Sequence, residues 1–214
     1  MLIRSLLLIT ALGPVIGINL AYWIGVDADV LPSCFPYIDG CTSISSTGRY
    51  PPGDRLFRAV MLPQSVLLAV TWYLAVLWLR SLAPGRRSGN AVLFFGLVGA
   101  AALILYVSYL GTKEPFYELM RRFGIYLYFI GTVFAQMILT LSLPGSTVRR
   151  AMLWLLAIPW VLGILNFAQK SLRANPDRME NSIEWIVSLL IQAWFLLLYL
   201  EWRRTGFRIS VRTG

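Results

Sequence analysis

The chain has 214 residues, of which 57% are hydrophobic and 14% charged, and it contains two cysteines and no histidine. Soluble domains carry about 25% charged residues, so this composition excludes an ordinary soluble domain, and its hydrophobicity excludes a disordered chain. Without histidine, imidazole-based catalysis is excluded, and we expect neither a metal site nor a cofactor. The net charge of +9 comes from basic residues near the ends of apolar stretches, which indicates membrane orientation rather than nucleic-acid binding.

Charged residues divide the sequence into six apolar stretches, each long enough for the roughly 20 residues that a helix needs to cross a bilayer. The predicted spans cover residues 5–26, 57–79, 91–111, 123–143, 151–169 and 184–202. Almost nothing remains for a separate soluble domain. The sequence therefore predicts an all-α, polytopic membrane protein in which residues 1–214 form a single bundle of six transmembrane helices.

The first span follows Arg4, as in a signal peptide, but its apolar run is too long and lacks a small-x-small cleavage site, so we expect it to be retained. With the N-terminus inside, ten basic residues fall on the inner side and nine on the outer side, but the inner connections are shorter and more densely positive. We therefore expect both termini to be cytoplasmic. Short connections and the lack of an Asn-x-Ser/Thr sequon favour a bacterial inner membrane, with a eukaryotic endomembrane or plasma membrane as the alternative.

Four tryptophans lie near the ends of predicted spans: Trp23, Trp78, Trp185 and Trp202. Tryptophan concentrates at membrane interfaces because its amphipathic ring sits at the level of the lipid headgroups. We therefore expect these side chains to form interfacial belts, with a ligand-stacking cage as the less favoured alternative.

The longest connection runs from Asp27 to Asp54, between the first two spans, and it is the least hydrophobic part of the chain. It contains both cysteines, Cys34 and Cys41. In an oxidising compartment outside the cytosol such a pair favours a disulfide, with two free thiols as the alternative. We expect the bridge to stiffen this outer loop rather than to take part in catalysis.

The second half of this loop contains an Ile-Ser-x-Thr-Gly stretch, then Pro-Pro, then a phenylalanine that opens the second span: Ile44, Ser45, Thr47, Gly48, Pro51, Pro52 and Phe57. A Glu-Trp pair, Glu184 and Trp185, begins the last span. These motifs resemble the FRAG/DRAM/SFK family of six-helix membrane proteins, which includes GPI-anchor lipid remodelling factors and CWH-type N-terminal domains. The chain departs from the family pattern at Gly53, where an acidic residue is usual, and at Arg121-Arg122, where a histidine commonly opens the fourth helix.

The resemblance implies a membrane protein that handles or senses lipids, since the family includes lipid remodelling factors, autophagy modulators and regulators of a phosphoinositide kinase. Any mechanism that uses the missing histidine does not transfer to this chain. For the loop motif itself, two interpretations stay open. Its hydroxyl and amide groups either bind a polar headgroup or simply form the local turns of a well-folded cap.

Ionisable residues close to the hydrocarbon core are costly, so each needs a partner or a function. We expect the polar groups at the outer helix ends to converge in one layer and bind a lipid headgroup: Arg58, Arg121, Arg122, Asn166, Glu184 and Trp185. The guanidinium groups suit a phosphate, and Glu184 suits an arginine, or a headgroup amine or hydroxyl. The alternative is a network of ion pairs that fastens the helix ends. For catalysis, the carboxylates of Glu184 and Glu118 are the candidates.

Three hypotheses about function follow. The first is binding or handling of a phospholipid or glycolipid headgroup in an outward-facing cavity, in lipid or GPI-anchor remodelling. The second is a non-enzymatic scaffold or accessory subunit that regulates a membrane-protein partner. The third is a lipid acyl or anchor transferase that uses a carboxylate as its base. Membrane lipids are the expected partners in all three.

Overall fold

The computed structural model describes residues 2–82, 87–112, 114–172 and 176–208. These ranges contain eight helices and no strand: α1 (Leu2–Asp27), α2 (Pro36–Asp39), α3 (Ile44–Thr47), α4 (Gly53–Leu82), α5 (Ser88–Ser108), α6 (Pro115–Ser142), α7 (Thr147–Leu172) and α8 (Pro176–Arg204). Six of the described helices are long and apolar enough to cross a membrane, namely α1 and α4 to α8. The predicted all-α fold with six transmembrane helices is confirmed.

All six long helices begin before the apolar stretches that predicted them, and three of these extensions share one end of the bundle. They begin at Gly53, Pro115 and Pro176, whereas the predicted spans begin at 57, 123 and 184. Each has an acidic residue in its first turn, where the helix dipole favours negative charge, and two open with proline, which is tolerated at that position. These extensions lie at the end of the bundle that carries α2 and α3, which we call the loop end; the opposite end is the terminus end.

The transmembrane helices form a ring with one weak seam. Around the ring, α6 packs against α5, α5 against α4, α4 against α1, α1 against α8, and α8 against α7. The remaining neighbours, α6 and α7, touch far less than any of these pairs. Accordingly, α7 is the least buried of the spans. The seam between α6 and α7 is therefore the loosest part of the ring.

Glycines allow the tightest helix approaches, as is common in membrane bundles. A Cβ atom at Gly131 of α6 would lie only 2.7 Å from the carbonyl oxygen of Phe95 in α5. On the other side of α5, a Cβ atom at Gly96 would lie 2.3 Å from Cγ of Trp72 in α4. The close packing of α4, α5 and α6 therefore depends on the absence of side chains at these positions.

Three of the four tryptophans that were predicted to face lipid lie inside the bundle. Trp78, Trp185 and Trp202 are at most 1% exposed, whereas Trp23 is 56% exposed. The prediction agrees with the position of Trp23 and is wrong for the other three. At the terminus end, Trp78 of α4 and Trp202 of α8 turn their rings toward each other, with centroids 6.2 Å apart. The residues that follow α8 also contact these rings: Trp78 donates its Nε1–H to the Thr205 hydroxyl at 3.0 Å, and Phe207 packs on Trp202 with centroids 5.2 Å apart.

The loop between α1 and α4 folds back over the bundle through the short helices α2 and α3. The predicted disulfide between Cys34 and Cys41 is present. The Asn181 side chain donates a hydrogen bond to the Gly40 carbonyl oxygen at 2.9 Å, which attaches the end of α2 to α8. The predicted disulfide-tied loop is thus confirmed, and it is fixed to the helix that also carries Glu184.

Candidate functional site

A cleft of about 330 Å³ lies between α6, α7 and α8. Its walls are mainly apolar: Phe129, Ile130, Val133, Phe134, Pro159, Trp160, Ile183 and Val187. Toward the loop end it meets three polar side chains, those of Asn166, Glu180 and Glu184. The cleft therefore has an apolar body and a polar end, an arrangement that matches the two parts of an amphipathic molecule.

The cleft opens sideways through the weak seam of the ring. Ile130 of α6 and Trp160 of α7, which line it from opposite sides, are 50% and 52% exposed. Pro159 also lines it and lies inside α7, where it deprives the helix of one backbone hydrogen bond. The opening is thus lined by exposed apolar side chains of two membrane-spanning helices.

Glu184 connects the cleft to the loop motif. The Ser45 hydroxyl of α3 lies 3.5 Å from Oε1 of Glu184. The same hydroxyl lies 3.0 Å from the Tyr106 hydroxyl of α5. Glu184 thus has neutral partners on the loop side, and in the described part of the chain no lysine or arginine pairs with it.

Two further polar groups stand beside Glu184 at this end of the cleft. The Oδ1 atom of Asn166 is buried and has no hydrogen-bond partner among the described residues. Glu180 lies one helical turn before Glu184 on the same face of α8. Glu180 is not among the predicted site residues, because the last predicted span begins at 184. The signal that could have found it is the helix start at Pro176 and Asp177, which puts Glu180 inside the helix.

The model of the Frag1/DRAM/Sfk1/Cwh43P N-terminal domain matches residues 2–205, nearly the whole chain. The chain belongs to the Frag1/DRAM/Sfk1 family. The resemblance that the loop motif indicated is confirmed, and the six apolar helices agree with it. The protein is therefore a multi-pass integral membrane protein of this family. It has no match among curated proteins or among solved structures.

The motif shared with the Frag1/DRAM/Sfk1 family forms α3 and its packing surface rather than an exposed site. Ile44, Thr47 and Phe57 are at most 6% exposed. A side chain at Gly48 would collide with Phe57 at 2.6 Å, so glycine is required for α3 to pack on α4. Pro51 and Pro52 follow as the exposed turn before α4. Of the motif residues, Ser45 is the one with a side-chain hydrogen bond to a group that lines the cleft.

Trp185 faces away from the cleft. Its Nε1–H donates to the Thr42 carbonyl oxygen at 2.9 Å, and its ring packs between those of Tyr22 and Tyr37, with centroid distances of 5.9 and 5.1 Å. Successive residues of a helix point about 100° apart, so Glu184 lines the cleft while Trp185 packs against the loop on an adjacent side of α8. The structure gives Trp185 a role in packing.

Arg58 is engaged with backbone rather than with the cleft. Its guanidinium donates to the carbonyl oxygens of Val107 at 2.8 Å, Ser108 at 3.2 Å and Leu110. These carbonyls belong to the end of α5, where helical carbonyls lack partners and a positive charge is favourable. Arg58 therefore caps α5 and ties it to the beginning of α4.

The remaining predicted charges form a separate cluster at the beginning of α6. Oε1 of Glu118 lies 2.6 Å from Arg122 and 3.6 Å from Arg121. Arg122 is mostly exposed, whereas Arg121 is mostly buried and its Nε atom has no partner among the described residues. None of the three lines the cleft as described. The structure thus brings Glu184 and Asn166 together and places the arginines elsewhere.

Proposed function

We propose that this protein binds a membrane lipid in the cleft between α6, α7 and α8, with an acyl chain against the apolar walls and the headgroup at the polar end. The observation that carries the proposal is the combination of a sideways-opening apolar cleft with Glu184 and Asn166 at one end. Polar groups at membrane depth are costly unless they have a hydrogen-bond or ion-pair partner. A headgroup that donates hydrogen bonds to them supplies that partner.

The size and shape of the cleft indicate partial enclosure of the lipid. A volume of about 330 Å³ is at the lower end of the range for small-molecule sites, which is roughly 300–1,000 Å³. A whole diacyl lipid exceeds this space. The cleft therefore holds part of one chain and the adjoining part of the headgroup, while the rest of the lipid stays in the bilayer.

The proposed topology places the loop end outside the cytoplasm. The Cys34–Cys41 disulfide lies at this end, and disulfides persist in oxidising compartments such as the bacterial periplasm. Both termini are then cytoplasmic, and the polar end of the cleft lies in the outer leaflet. Alkaline phosphatase fused after residue 208 tests the arrangement in bacteria. The phosphatase should be inactive at this position and active when it is inserted into the loop that carries the disulfide. The reverse pattern would contradict the proposed topology.

The test of lipid binding is to fill the cleft. Val133→Trp adds a large side chain to the cleft wall, whereas Val66→Trp adds the same side chain to the outer surface of α4, where Val66 is 60% exposed. After stepwise delipidation, native mass spectrometry should show about one retained lipid per chain for the wild type and for Val66→Trp, and none for Val133→Trp. Equal retention by both variants would refute binding in the cleft.

A second candidate, lipid acyl or anchor transfer, is favoured by the carboxylate of Glu184 in the cleft. As a general base it would take the proton of an acceptor hydroxyl while that oxygen attacks the ester carbonyl of a bound lipid, and it would return the proton to the departing alcohol. The purified protein should then move a labelled acyl chain to an alcohol acceptor, and Glu184→Gln should abolish the transfer. A wild-type protein that retains lipid without turnover supports binding alone, and a wild type that retains no lipid favours a scaffold.

A further inference from the structure

The net charge of the chain belongs entirely to the terminus end. Four stretches of sequence begin, join or end the helices there: residues 1–4, 80–90, 143–150 and 201–214. Together they contain ten arginines and one acidic residue, Glu201. The rest of the chain contains nine basic and nine acidic residues, whose charges cancel. Because Glu201 is 2% exposed and paired with Arg204 at 2.9 Å, the exposed charge of the terminus end is of one sign.

Membrane orientation does not require this pattern. Orientation depends on lysine and arginine, to which acidic residues add little, and the two ends carry nearly equal numbers, ten and nine. Helix stability opposes the pattern, because the helix dipole favours an acidic residue in the first turn. The helices that begin at the loop end, α4, α6 and α8, each have one, whereas α1, α5 and α7, which begin at the terminus end, have none. Another interaction therefore favours a terminus end without exposed acidic groups.

The basic groups of this end suit phosphate and surround the bundle. All ten are arginine, whose planar guanidinium can bind two phosphate oxygens at once, whereas both lysines, Lys113 and Lys170, belong to the rest of the chain. Six of those that the structure describes are exposed: Arg80, Arg87, Arg150, Arg203, Arg204 and Arg208. They lie at or just beyond the ends of α4, α5, α7 and α8. In the ring, α4 and α5 are separated from α7 and α8 by α1 on one side and α6 on the other, so the arginines do not form one compact patch.

We infer that the terminus end binds the headgroups of anionic phospholipids in the adjoining leaflet. A leaflet encircles the bundle, as the exposed arginines do, whereas an acidic protein or a nucleic acid would meet them from one side. A zwitterionic phospholipid has the same phosphate but carries a cationic group beside it. The energy of one basic side chain near an anionic membrane surface corresponds to about a fivefold preference for the anionic lipid. The inference does not depend on the cleft, whose polar end lies at the loop end.

Spin-labelled lipids measure this preference in proteoliposomes. The protein is reconstituted in phosphatidylcholine vesicles with a trace of spin-labelled phosphatidylglycerol or spin-labelled phosphatidylcholine of the same acyl chains. Electron paramagnetic resonance then reports the fraction of each label in contact with the protein. The expected preference for phosphatidylglycerol is about threefold on average, because one of the two leaflets adjoins the terminus end. In 1 M salt the Debye length falls to about 3 Å, so the preference should approach one. Equal contact of both labels at low salt would overturn the inference.

A triple variant tests whether the exposed arginines carry the preference. Arg87→Gln, Arg150→Gln and Arg208→Gln together remove three exposed charges from the terminus end, and should lower the preference from about threefold to about twofold. If the triple variant does not fold, the three substitutions are measured singly, and each should lower the preference. A preference that none of these substitutions changes would count against the assignment.

A matched control removes the same charge from the loop end. Arg55→Gln, Arg122→Gln and Arg178→Gln together replace three exposed arginines there, and the preference should stay near threefold because acidic residues already offset the basic ones at that end. An equal decrease in both triple variants would show that the preference follows the net charge of the protein and not the terminus end.

The cleft variant separates this inference from the proposed function. Val133→Trp fills the cleft and should keep the wild-type preference for phosphatidylglycerol, whether or not it loses the retained lipid. If the preference disappears in Val133→Trp, the anionic lipid binds in the cleft and the assignment to the terminus end is wrong. If the preference persists and Val133→Trp retains as much lipid as Val66→Trp, the proposed function fails and this inference stands.

Discussion

Replacing Gly96 with alanine tests whether α4 and α5 pack as closely as the structure shows. The new Cβ atom would lie 2.3 Å from Cγ of Trp72, well inside the contact distance of two carbon atoms. Trp72 cannot move aside easily, because it is completely buried and packs against Trp194 and Phe195, with centroid distances of 6.0 and 5.5 Å. Inserting one extra carbon into such packing costs about 1–3 kcal/mol.

Alanine also has a higher helix propensity than glycine, by about 1 kcal/mol, so a control must carry that gain without the collision. Gly163→Ala in α7 does so, since no atom lies within 4 Å of the Cβ position there. The difference between the two variants then isolates the packing cost. It corresponds to a change of about five- to a hundredfold in the unfolding equilibrium constant, since each 1.4 kcal/mol is a factor of ten.

The assay is reversible unfolding in mixed micelles of dodecyl maltoside and sodium dodecyl sulfate, followed by far-ultraviolet circular dichroism. Gly96→Ala should unfold at a lower mole fraction of dodecyl sulfate than Gly163→Ala. Coincident transitions of the two variants would show that α4 and α5 are farther apart than described, and would refute the reasoning.

Three other changes give distinct expected outcomes. Cys34→Ser opens a short loop, so it should destabilise the protein by about 2 kcal/mol, and a reducing agent should lower the melting temperature of the wild type but not of the variant. Arg58→Gln should cost about 1.5–3 kcal/mol in the same unfolding assay, because carbonyl oxygens at the end of α5 lose a charged donor. Lipid retention should stay normal. Normal stability together with lost lipid would show that Arg58 binds lipid rather than capping α5. Glu201→Ala should cost about 1.5–3 kcal/mol, because the buried carboxylate accepts hydrogen bonds from Ser146 and from the half-exposed Arg204, whereas the exposed ion pair of Glu118 should be worth at most about 1 kcal/mol. Similar losses at both positions would contradict the burial of Glu201.

The six spans could be predicted because membrane thickness fixes the length of an apolar stretch, and that length is a property of the sequence alone. The order of the helices around the ring could not be predicted, because all six helices are apolar on most of their surface. The tryptophans show the difficulty. An indole near a helix end suits either the interface or the bundle interior, and Trp78 and Trp202 are buried through contacts with each other and with Thr205 and Phe207.

The candidate site could be predicted only in part, because a sequence shows where polar residues lie relative to apolar stretches but not which residues they contact. Glu184 and Asn166 stood out as polar residues at the edge of apolar stretches, and both line the cleft. Arg58 had the same local signature, but its guanidinium binds carbonyls at the end of α5, nearly 50 residues away in the sequence. Whether an arginine meets a headgroup or a helix end depends on tertiary contacts that a single sequence does not display.

Because the seam between α6 and α7 is loose, the cleft that we propose as a lipid site is open to the bilayer rather than to water. A ligand that enters from the bilayer is never dissolved in water, so its effective concentration is its mole fraction in the leaflet. Each lipid is therefore encountered in proportion to its mole fraction, and selectivity among neighbouring lipids, rather than affinity against an empty cleft, determines which one is bound. Changing the composition of the surrounding membrane becomes equivalent to titrating the protein.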